Sequence, residues 1–176
     1  EFEWTFETDP ENDTDGEIKE PIMAYDGAAF FGSWDERIYR VDLETGTEDW
    51  SFETGGLSMM GPGVDPTRDE IYGGSHDGNL YALDAQTGEE RWRFETDRPL
   101  TGCPTVCKER IVFGSKDQTL YAVDTETGEE VWHVDSDGVV TSTPLVHDGA
   151  IYFAERAPDP ENGNIDGGAY KLVAAD

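Results

Sequence analysis

Apolar and polar positions along the chain follow the pattern of short β-strands separated by tight turns. Compact apolar runs such as Ile111–Ser115 alternate with tracts such as Glu90–Glu95, in which Trp92 and Phe94 fall on one face of an extended strand. Asp-Gly pairs and Asp-x-x-Thr-Gly tracts stand between these runs. They favour hairpin turns because Gly accepts positive φ and Asp binds the turn backbone. No segment has a helical period, so the pattern predicts an all-β fold.

The same pattern recurs about every 40 residues, which is the length of one blade of a β-propeller. Tyr81–Trp92 and Tyr121–Trp132 are nearly identical, and Tyr39–Trp50 is a third, weaker copy. Each period contains four predicted antiparallel strands. We therefore expect a single β-propeller domain over residues 1–176. Its four four-stranded antiparallel blades are predicted at about 18–54, 58–96, 100–136 and 141–176.

The two ends of the chain match different and complementary parts of one repeat. Residues 1–8 repeat the outer strand alone, whereas residues 169–176 repeat the third strand and stop in the turn that follows it. We expect residues 1–8 to complete the fourth blade by pairing with the strand around 170–173, because an open array would leave exposed strand edges. Three arrangements remain open: a closed four-blade ring, two chains forming an eight-blade ring, or a segment of a longer propeller.

The turn between the third and outer strands carries a specific motif. The tract Ala82–Trp92, of the form Ala-x-Asp-x-x-Thr-Gly-Glu-Glu-x-Trp, resembles the tryptophan-docking motif of the quinoprotein-like (PQQ-like) propeller repeats. In that family each Trp is sandwiched between a small residue of its own motif and a Gly peptide of the neighbouring blade. Family members usually have seven or eight blades, which favours the two-chain ring or the segment. The resemblance implies docking roles for Trp4, Trp50, Trp92 and Trp132.

Composition adds a strong negative charge to this picture. Forty acidic residues face twelve basic ones, for a formal net charge of −28. Such a charge repels itself unless counter-ions screen it, which is typical of a protein from a halophilic archaeon; an acidic mesophilic protein is the alternative. Phosphate binding depends on Lys and Arg, so nucleic acid is not expected as a partner, and no apolar run is long enough for a membrane helix. We expect a soluble protein, with any leader absent from this chain, which begins at Glu1.

One position in each repeat varies while its surroundings are kept, namely x in the Gly-Ser-x-Asp tract between the second and third strands. A residue that varies inside a constant frame is not dictated by the blade. These positions are predicted to lie on the same face of the propeller. They place one aromatic, one titratable and two cationic side chains around it, which predicts a binding surface for an anionic or aromatic ligand. Four unrelated solvated residues are the alternative. The predicted binding residues are Trp34, His76, Lys116 and, in the degenerate fourth copy, Arg156.

Two insertions, at 9–17 and 159–167, crowd carboxylate and amide oxygens before a Gly. Hard cations such as calcium prefer oxygen ligands on tight loops of this kind. The full calcium-binding loop is not present, because Ile22 and Val173 stand where it needs a Glu, and solvation of an acidic surface is the alternative. The candidate metal ligands are Asp13, Asp15, Asp159, Asn162, Asn164 and Asp166.

The sequence shows no recognisable catalytic arrangement. His133 follows a docking Trp on an outer strand and His147 lies at a hairpin tip, so neither is placed as a buried base. The adjacent Cys pair of many quinoprotein dehydrogenases is not found, and half a ring cannot enclose PQQ. We therefore predict a non-catalytic module for protein interaction or scaffolding in a halophile. Its partner would be another protein or a second copy of itself. We expect no cofactor; calcium is the one candidate to consider, and PQQ is not expected. The alternative is part of a PQQ-dependent, calcium-containing dehydrogenase.

Overall fold

The computed structural model describes residues 3–8, 16–19 and 21–156, together with the backbone of 170–175. This part of the chain contains sixteen strands and no helix, which confirms the predicted all-β class. It has no helix that could cross a membrane. The strands form four four-stranded sheets, and each sheet, or blade, comes from one period of the sequence.

In the first two blades, consecutive strands are antiparallel neighbours from the first strand to the outer one. Short turns permit this pairing, since antiparallel strands can be joined by a few residues. The first blade consists of β1 (Met23–Tyr25), β2 (Ala28–Gly32), β3 (Arg37–Asp42) and β4 (Glu48–Glu53). The second consists of β5 (Gly63–Asp65), β6 (Glu70–Gly74), β7 (Asn79–Asp84) and β8 (Glu90–Glu95).

The last two blades differ in their first strand. The third consists of β9 (Leu100–Cys107), β10 (Arg110–Ser115), β11 (Thr119–Asp124) and β12 (Glu130–Asp135). The fourth consists of β13 (Val139–Val140), β14 (Leu145–His147), β15 (Ala150–Arg156) and β16 (Tyr170–Ala175). In β9 the register shifts near Gly102, which has φ +73°. Ser142 stands at the equivalent place in the fourth blade, and the strand is interrupted there, leaving β13 and β14 on opposite ends of β15.

The turns have the geometry that their residues favour. In the hairpin between β14 and β15, Asp148 and Gly149 have φ of 49° and 84°, as expected for a two-residue turn with positive φ at both positions. In the turn after β7, Asp84 Oδ1 accepts hydrogen bonds from the N–H groups of Gln86 and Thr87, at 3.0 and 2.8 Å. The short polar side chains thus satisfy the turn backbone and fix the strand register.

A β-bulge precedes the Trp of each of the first three outer strands. In the second blade Ala82 lies opposite Trp92 and Leu83 lies opposite Glu90, so Arg91 is the extra residue. The same irregularity occurs in the first and third blades. A bulge bends its strand and re-aims the next side chain, which helps to direct each Trp toward the following blade.

The hydrophobic core lies between successive blades. One cluster joins the second and third blades through Tyr72, Leu100 and Phe113, none more than 1% exposed. Similar clusters join the first blade to the second and the third to the fourth. Sheets stacked face to face cover each other's apolar side. This stacking of four antiparallel blades confirms the predicted propeller architecture.

The two ends of the array are not equivalent. Trp4 and Phe6 pack on the first blade, but residues 3–8 form no ladder with another strand in the described part of the chain. Among the described strands, β16 pairs only with β15. The predicted pairing of residues 1–8 with the fourth blade is not seen within one chain, and the way in which the ring closes stays a prediction.

Candidate functional site

The indole of Trp50 lies against the Asp-x-x-Thr-Gly turn of the second blade. Its Nε1 donates a hydrogen bond to the carbonyl of Ala85 at 3.2 Å. A Cβ at Gly88 would stand 2.7 Å from the ring, and Gly88 has φ +72°. Both the backbone conformation and the ring contact therefore require glycine at this position. The contact joins the first blade to the second.

Trp4 and Trp92 make the same pair of contacts. Trp4 Nε1 donates to the carbonyl of Leu43 at 3.0 Å, and Trp92 Nε1 donates to the carbonyl of Thr125 at 3.1 Å. Each ring lies against the Gly of the corresponding turn. A large aromatic surface combined with one hydrogen bond is an effective way to hold adjacent sheets together.

Trp132 has different surroundings. The other docking tryptophans each contact an Asp-x-x-Thr-Gly turn. The equivalent turn for Trp132 begins at Asp176, outside the described residues. Trp132 packs against the core between the third and fourth blades. It also borders a cavity of about 320 Å³, whose wall includes Cys107, Lys108 and Arg110. Its predicted docking role stays a prediction.

We expect Gly88→Ala to lower the free energy of unfolding more than Gly149→Ala. Both glycines have positive φ, so either substitution strains the backbone by about 1 kcal/mol. A Cβ at Gly149 meets nothing within 4 Å, whereas a Cβ at Gly88 meets the Trp50 ring at 2.7 Å. Urea unfolding should show a loss of about 1 kcal/mol at Gly149 and of about 2 kcal/mol or more at Gly88. Equal losses would contradict the close packing of Trp50.

The loops between the second and third strands share one hydrogen-bonded frame. In the first three blades, the variable residue precedes an Asp that accepts a hydrogen bond from the Tyr hydroxyl four residues further on. The pairs are Asp35–Tyr39 at 2.6 Å, Asp77–Tyr81 at 2.5 Å and Asp117–Tyr121 at 3.0 Å. Burial and the hydrogen bond to Asp raise the pKa of Tyr81 and of Tyr121 to about 12. Both hydroxyls therefore remain protonated donors at neutral pH.

Backbone hydrogen bonds attach these loops to the segments that connect the blades. The N–H groups of the three variable residues donate to carbonyls in those segments. The bonds are Trp34 to Glu17 at 3.1 Å, His76 to Leu57 at 2.9 Å and Lys116 to Pro99 at 2.9 Å. The loops and the connecting segments thus form one surface, which we call the loop face. It presents one variable side chain per blade from a fixed support.

The structure brings together only some of the predicted binding residues. Burial lowers the pKa of His76, and the charge of Lys116 lowers it further, so these two residues of adjacent blades lie within electrostatic range of each other. Trp34 instead lies beneath the ammonium group of Lys19, which is 3.7 Å from a ring centroid. Sequence reasoning missed Lys19. Arg156 ends β15, at the start of a loop outside the described residues.

Trp34 has a second distinctive feature. Its indole N–H is buried and has no hydrogen-bond partner among the described residues. Leaving a buried donor unpaired costs about 1–3 kcal/mol. A ligand that offered an acceptor here would recover part of that cost. The loop face therefore combines Lys116 and the titratable His76 with a buried, unpaired donor at Trp34.

The predicted calcium ligands, at positions 13, 15, 159, 162, 164 and 166, all lie outside the described residues. Within the described part of the chain, no group of three His, Cys, Asp or Glu side chains is arranged to hold a metal ion. That result concerns other residues, so the calcium hypothesis for the two acidic insertions stays a prediction.

The first strands of the blades border an apolar cavity of about 340 Å³. Its wall includes Met23, Pro62, Val64, Cys103 and Pro104, and its described residues include no Lys, Arg or His. A quinone such as PQQ carries several carboxylates, which need cationic or hydrogen-bonding partners when they are buried. The described wall of this cavity does not fit such a group.

Four stacked antiparallel blades, the first three of them joined through Trp–Gly contacts, place the protein in the β-propeller repeat class. The family model described as outer membrane protein assembly factor BamB matches residues 11–93 and 76–172. The chain therefore belongs to this family of PQQ-like repeats, and the resemblance drawn from the sequence is confirmed. No curated protein matches the chain.

Solved structures with the same fold share little sequence with it. BamB from Moraxella catarrhalis has a TM-score of 0.70 and 23% identity, with 90% of this chain and 46% of that chain covered. The computationally designed Ika4 protein has a TM-score of 0.71 and 17% identity, with 92% and 93% covered. Quinohemoprotein alcohol dehydrogenase from Comamonas testosteroni has a TM-score of 0.79 and 18% identity, with 98% and 34% covered. The chain thus spans about half of the BamB structure and a third of the dehydrogenase.

Proposed function

We propose that this chain is a non-catalytic interaction module whose loop face binds a carboxylate-bearing segment of a partner protein. The observation that carries the proposal is the constant Asp–Tyr frame of the first three blades, with a different residue displayed in each of them. A frame that only had to hold the fold would have no need of varied, chemically active residues at its tips. The description of the family as an assembly factor agrees with a binding role.

The chemistry of the loop face favours an anionic group. His76 and Lys116 are adjacent donors, and both can form charge-assisted hydrogen bonds to a carboxylate when His76 is protonated. On a chain with a net charge of −28, Lys116 supplies a positive charge to this face, and His76 adds a second one when it is protonated.

We expect the double variant His76→Ala, Lys116→Ala to bind a Glu-rich peptide at least about tenfold more weakly than the unaltered chain. Each charge-assisted hydrogen bond contributes about 1.5–3 kcal/mol, and about 1.4 kcal/mol corresponds to tenfold. Calorimetric titration in a salt concentration that keeps the chain folded would measure the change. A peptide with Gln in place of Glu should bind neither form measurably.

The matched control is the double variant Lys108→Ala, Arg110→Ala. It removes two cationic residues of the third blade around the turn between β9 and β10, at the end of the strands opposite to Lys116. The unaltered chain should also bind the Glu peptide more tightly as the pH falls below 6.5, because the lowered pKa of His76 keeps its ring neutral above that value. Equal losses in the two double variants, or binding independent of pH, would count against the proposal.

An absorption spectrum distinguishes the interaction module from the alternative function, which is part of a PQQ-dependent dehydrogenase. Addition of PQQ with calcium should leave the quinone absorption unchanged if the chain is an interaction module. A shifted and saturable quinone band would favour the dehydrogenase instead. We further propose, from the charge of −28, that the module works in a halophilic organism.

A further inference from the structure

The apolar cavity of about 340 Å³ between the first strands, here called the first-strand cavity, differs in chemistry from the rest of this acidic chain. Its described wall includes Met23, Val64 and Val106 but no Asp, Glu, Lys, Arg or His. The strands β1, β5 and β9 contain one charged side chain, that of Asp65, whereas 30% of the whole chain is charged. Asp65 is buried and accepts hydrogen bonds from Thr67 in its own turn. The cavity therefore favours an uncharged, apolar occupant.

Prolines limit how such an occupant can be held. The strands β5 and β9 are edge strands of their sheets, and an edge strand is normally able to pair with a further strand. Pro62 directly precedes β5 and Pro104 lies within β9, and both line the cavity. Proline has no backbone N–H, so it interrupts pairing along these edges. The occupant is therefore held through side-chain contacts and not by the addition of a strand.

The segments between the blades connect the cavity to the loop face. The carbonyl of Leu57 accepts a hydrogen bond from the N–H of His76, and the carbonyl of Pro99 accepts one from the N–H of Lys116. In both segments the chain reaches the cavity wall four residues later. Four residues of extended chain span at most about 14 Å. One short peptide is therefore long enough to reach from either loop tip to the cavity.

We propose that the first-strand cavity receives an apolar side chain, such as that of Phe or Leu, from the same partner segment whose carboxylate binds the loop face. Interfaces commonly hold an apolar anchor in a pocket and surround it with polar contacts. Here the cavity supplies the pocket, while His76 and Lys116 supply the polar contacts. The inference rests on the proposed function, since it names a second feature of the same partner.

Two peptides test the anchor. Both carry Glu, and four residues away one has Phe and the other has Ser. We expect the Phe peptide to bind the unaltered chain at least about tenfold more tightly, because burial of a Phe side chain contributes more free energy than a tenfold change requires. Calorimetric titration in molar KCl would measure both affinities, and equal affinities would overturn the inference.

The double variant His76→Ala, Lys116→Ala separates this inference from the proposed function. If it binds both peptides more weakly than the unaltered chain while Phe and Ser are equivalent, the loop face stands and the anchor fails. If it binds both peptides as tightly as the unaltered chain, the proposed function fails, and the ratio of the Phe and Ser affinities still decides whether the cavity holds an apolar side chain.

A pair of neighbouring substitutions locates the anchor. Met23 belongs to the cavity wall, whereas Ile22 does not, and both side chains are exposed, by 38% and 56%. We expect Met23→Glu to reduce the tenfold advantage of the Phe peptide to about onefold, because it places a charge in the apolar wall. Ile22→Glu adds the same charge and should leave the advantage unchanged. Circular dichroism in the same salt would verify that both variants fold, and equal ratios in the two variants would contradict the assignment.

The two cysteines provide a readout that needs no substitution. Cys103 lines the first-strand cavity, whereas Cys107 lines the separate cavity beside Trp132. Both are half-buried thiols. The Phe peptide should slow the alkylation of Cys103 by iodoacetamide and leave that of Cys107 unchanged, as measured by tandem mass spectrometry. Protection of neither thiol, or of both, would overturn the inference.

The same measurement distinguishes other occupants of the cavity. Protection of Cys103 by N-acetyl-phenylalaninamide that is as strong as protection by the Phe peptide at the same concentration would indicate a small-molecule site. Protection that increases with the concentration of the chain, without peptide, would indicate a second copy. Either result would count against a partner segment as the occupant.

Discussion

Trp92→Ala is expected to lower the free energy of unfolding by about 3–5 kcal/mol, as for other truncations of large aromatic residues in cores. The indole stacks on Tyr72, with ring centroids 5.8 Å apart. It also donates to the carbonyl of Thr125 and lies against the turn at Gly128. Truncation removes all three contacts and leaves a cavity between the second and third blades, at the middle of the array.

The matched control is Trp132→Ala, which removes the same side chain one blade further on. Trp132 contacts the core but borders a cavity, so we expect a loss about half as large. Urea unfolding followed by circular dichroism, in the same salt for all variants, would measure both losses. A loss below about 1 kcal/mol for Trp92 would mean that its indole is not packed between blades.

We expect the chain to fold only at high salt concentration. With forty acidic and twelve basic residues, close packing brings like charges together. The Debye length falls from about 10 Å at 0.1 M salt to about 3 Å at 1 M. Several described ion pairs are half exposed, such as Lys19–Glu17 and Arg93–Glu90, and exposed pairs contribute little. We therefore expect cooperative unfolding in molar KCl and loss of structure at about 0.1 M.

Two controls separate charge screening from a general strengthening of apolar burial. Sucrose favours burial without screening charge, so it should restore the fold at low salt less well than KCl does. A variant with Gln in place of exposed glutamates should need less salt; suitable positions are Glu44, Glu48, Glu89, Glu126 and Glu129. A melting temperature that is the same at about 0.1 M and about 3 M KCl would contradict the halophilic interpretation.

Much of the fold could be predicted because its determinants are local and repeated. The Asp148-Gly149 turn and the Asp84 turn encode their own backbone geometry, and alternation places Trp92 and Phe94 on one face. A change of one residue within a strand had a less predictable effect. Where β9 has Gly102, the fourth blade has Ser142, and the first strand is interrupted there.

The candidate site was less predictable, because it depends on how blades and insertions meet. The effect of Lys116 on the pKa of His76 depends on how two blades stand relative to each other, which no local pattern specifies. The contact of Lys19 with Trp34 joins a connecting segment to a loop. The Asp and Tyr residues of the frame, in contrast, stand at a constant spacing of four residues in the sequence. Only the hairpin geometry shows that each pair forms a hydrogen bond.

The Asp–Tyr frame separates the residues that hold each loop from the residue that the loop displays. A change at position 34, 76 or 116 alters the displayed chemistry and leaves the hydrogen bonds of the frame in place. Substitutions at exposed positions without packing or buried polar roles change stability by only about 0.5 kcal/mol. In evolutionary terms, the tips form a set of independently variable positions, so a new ligand preference can arise through a few substitutions while the propeller persists.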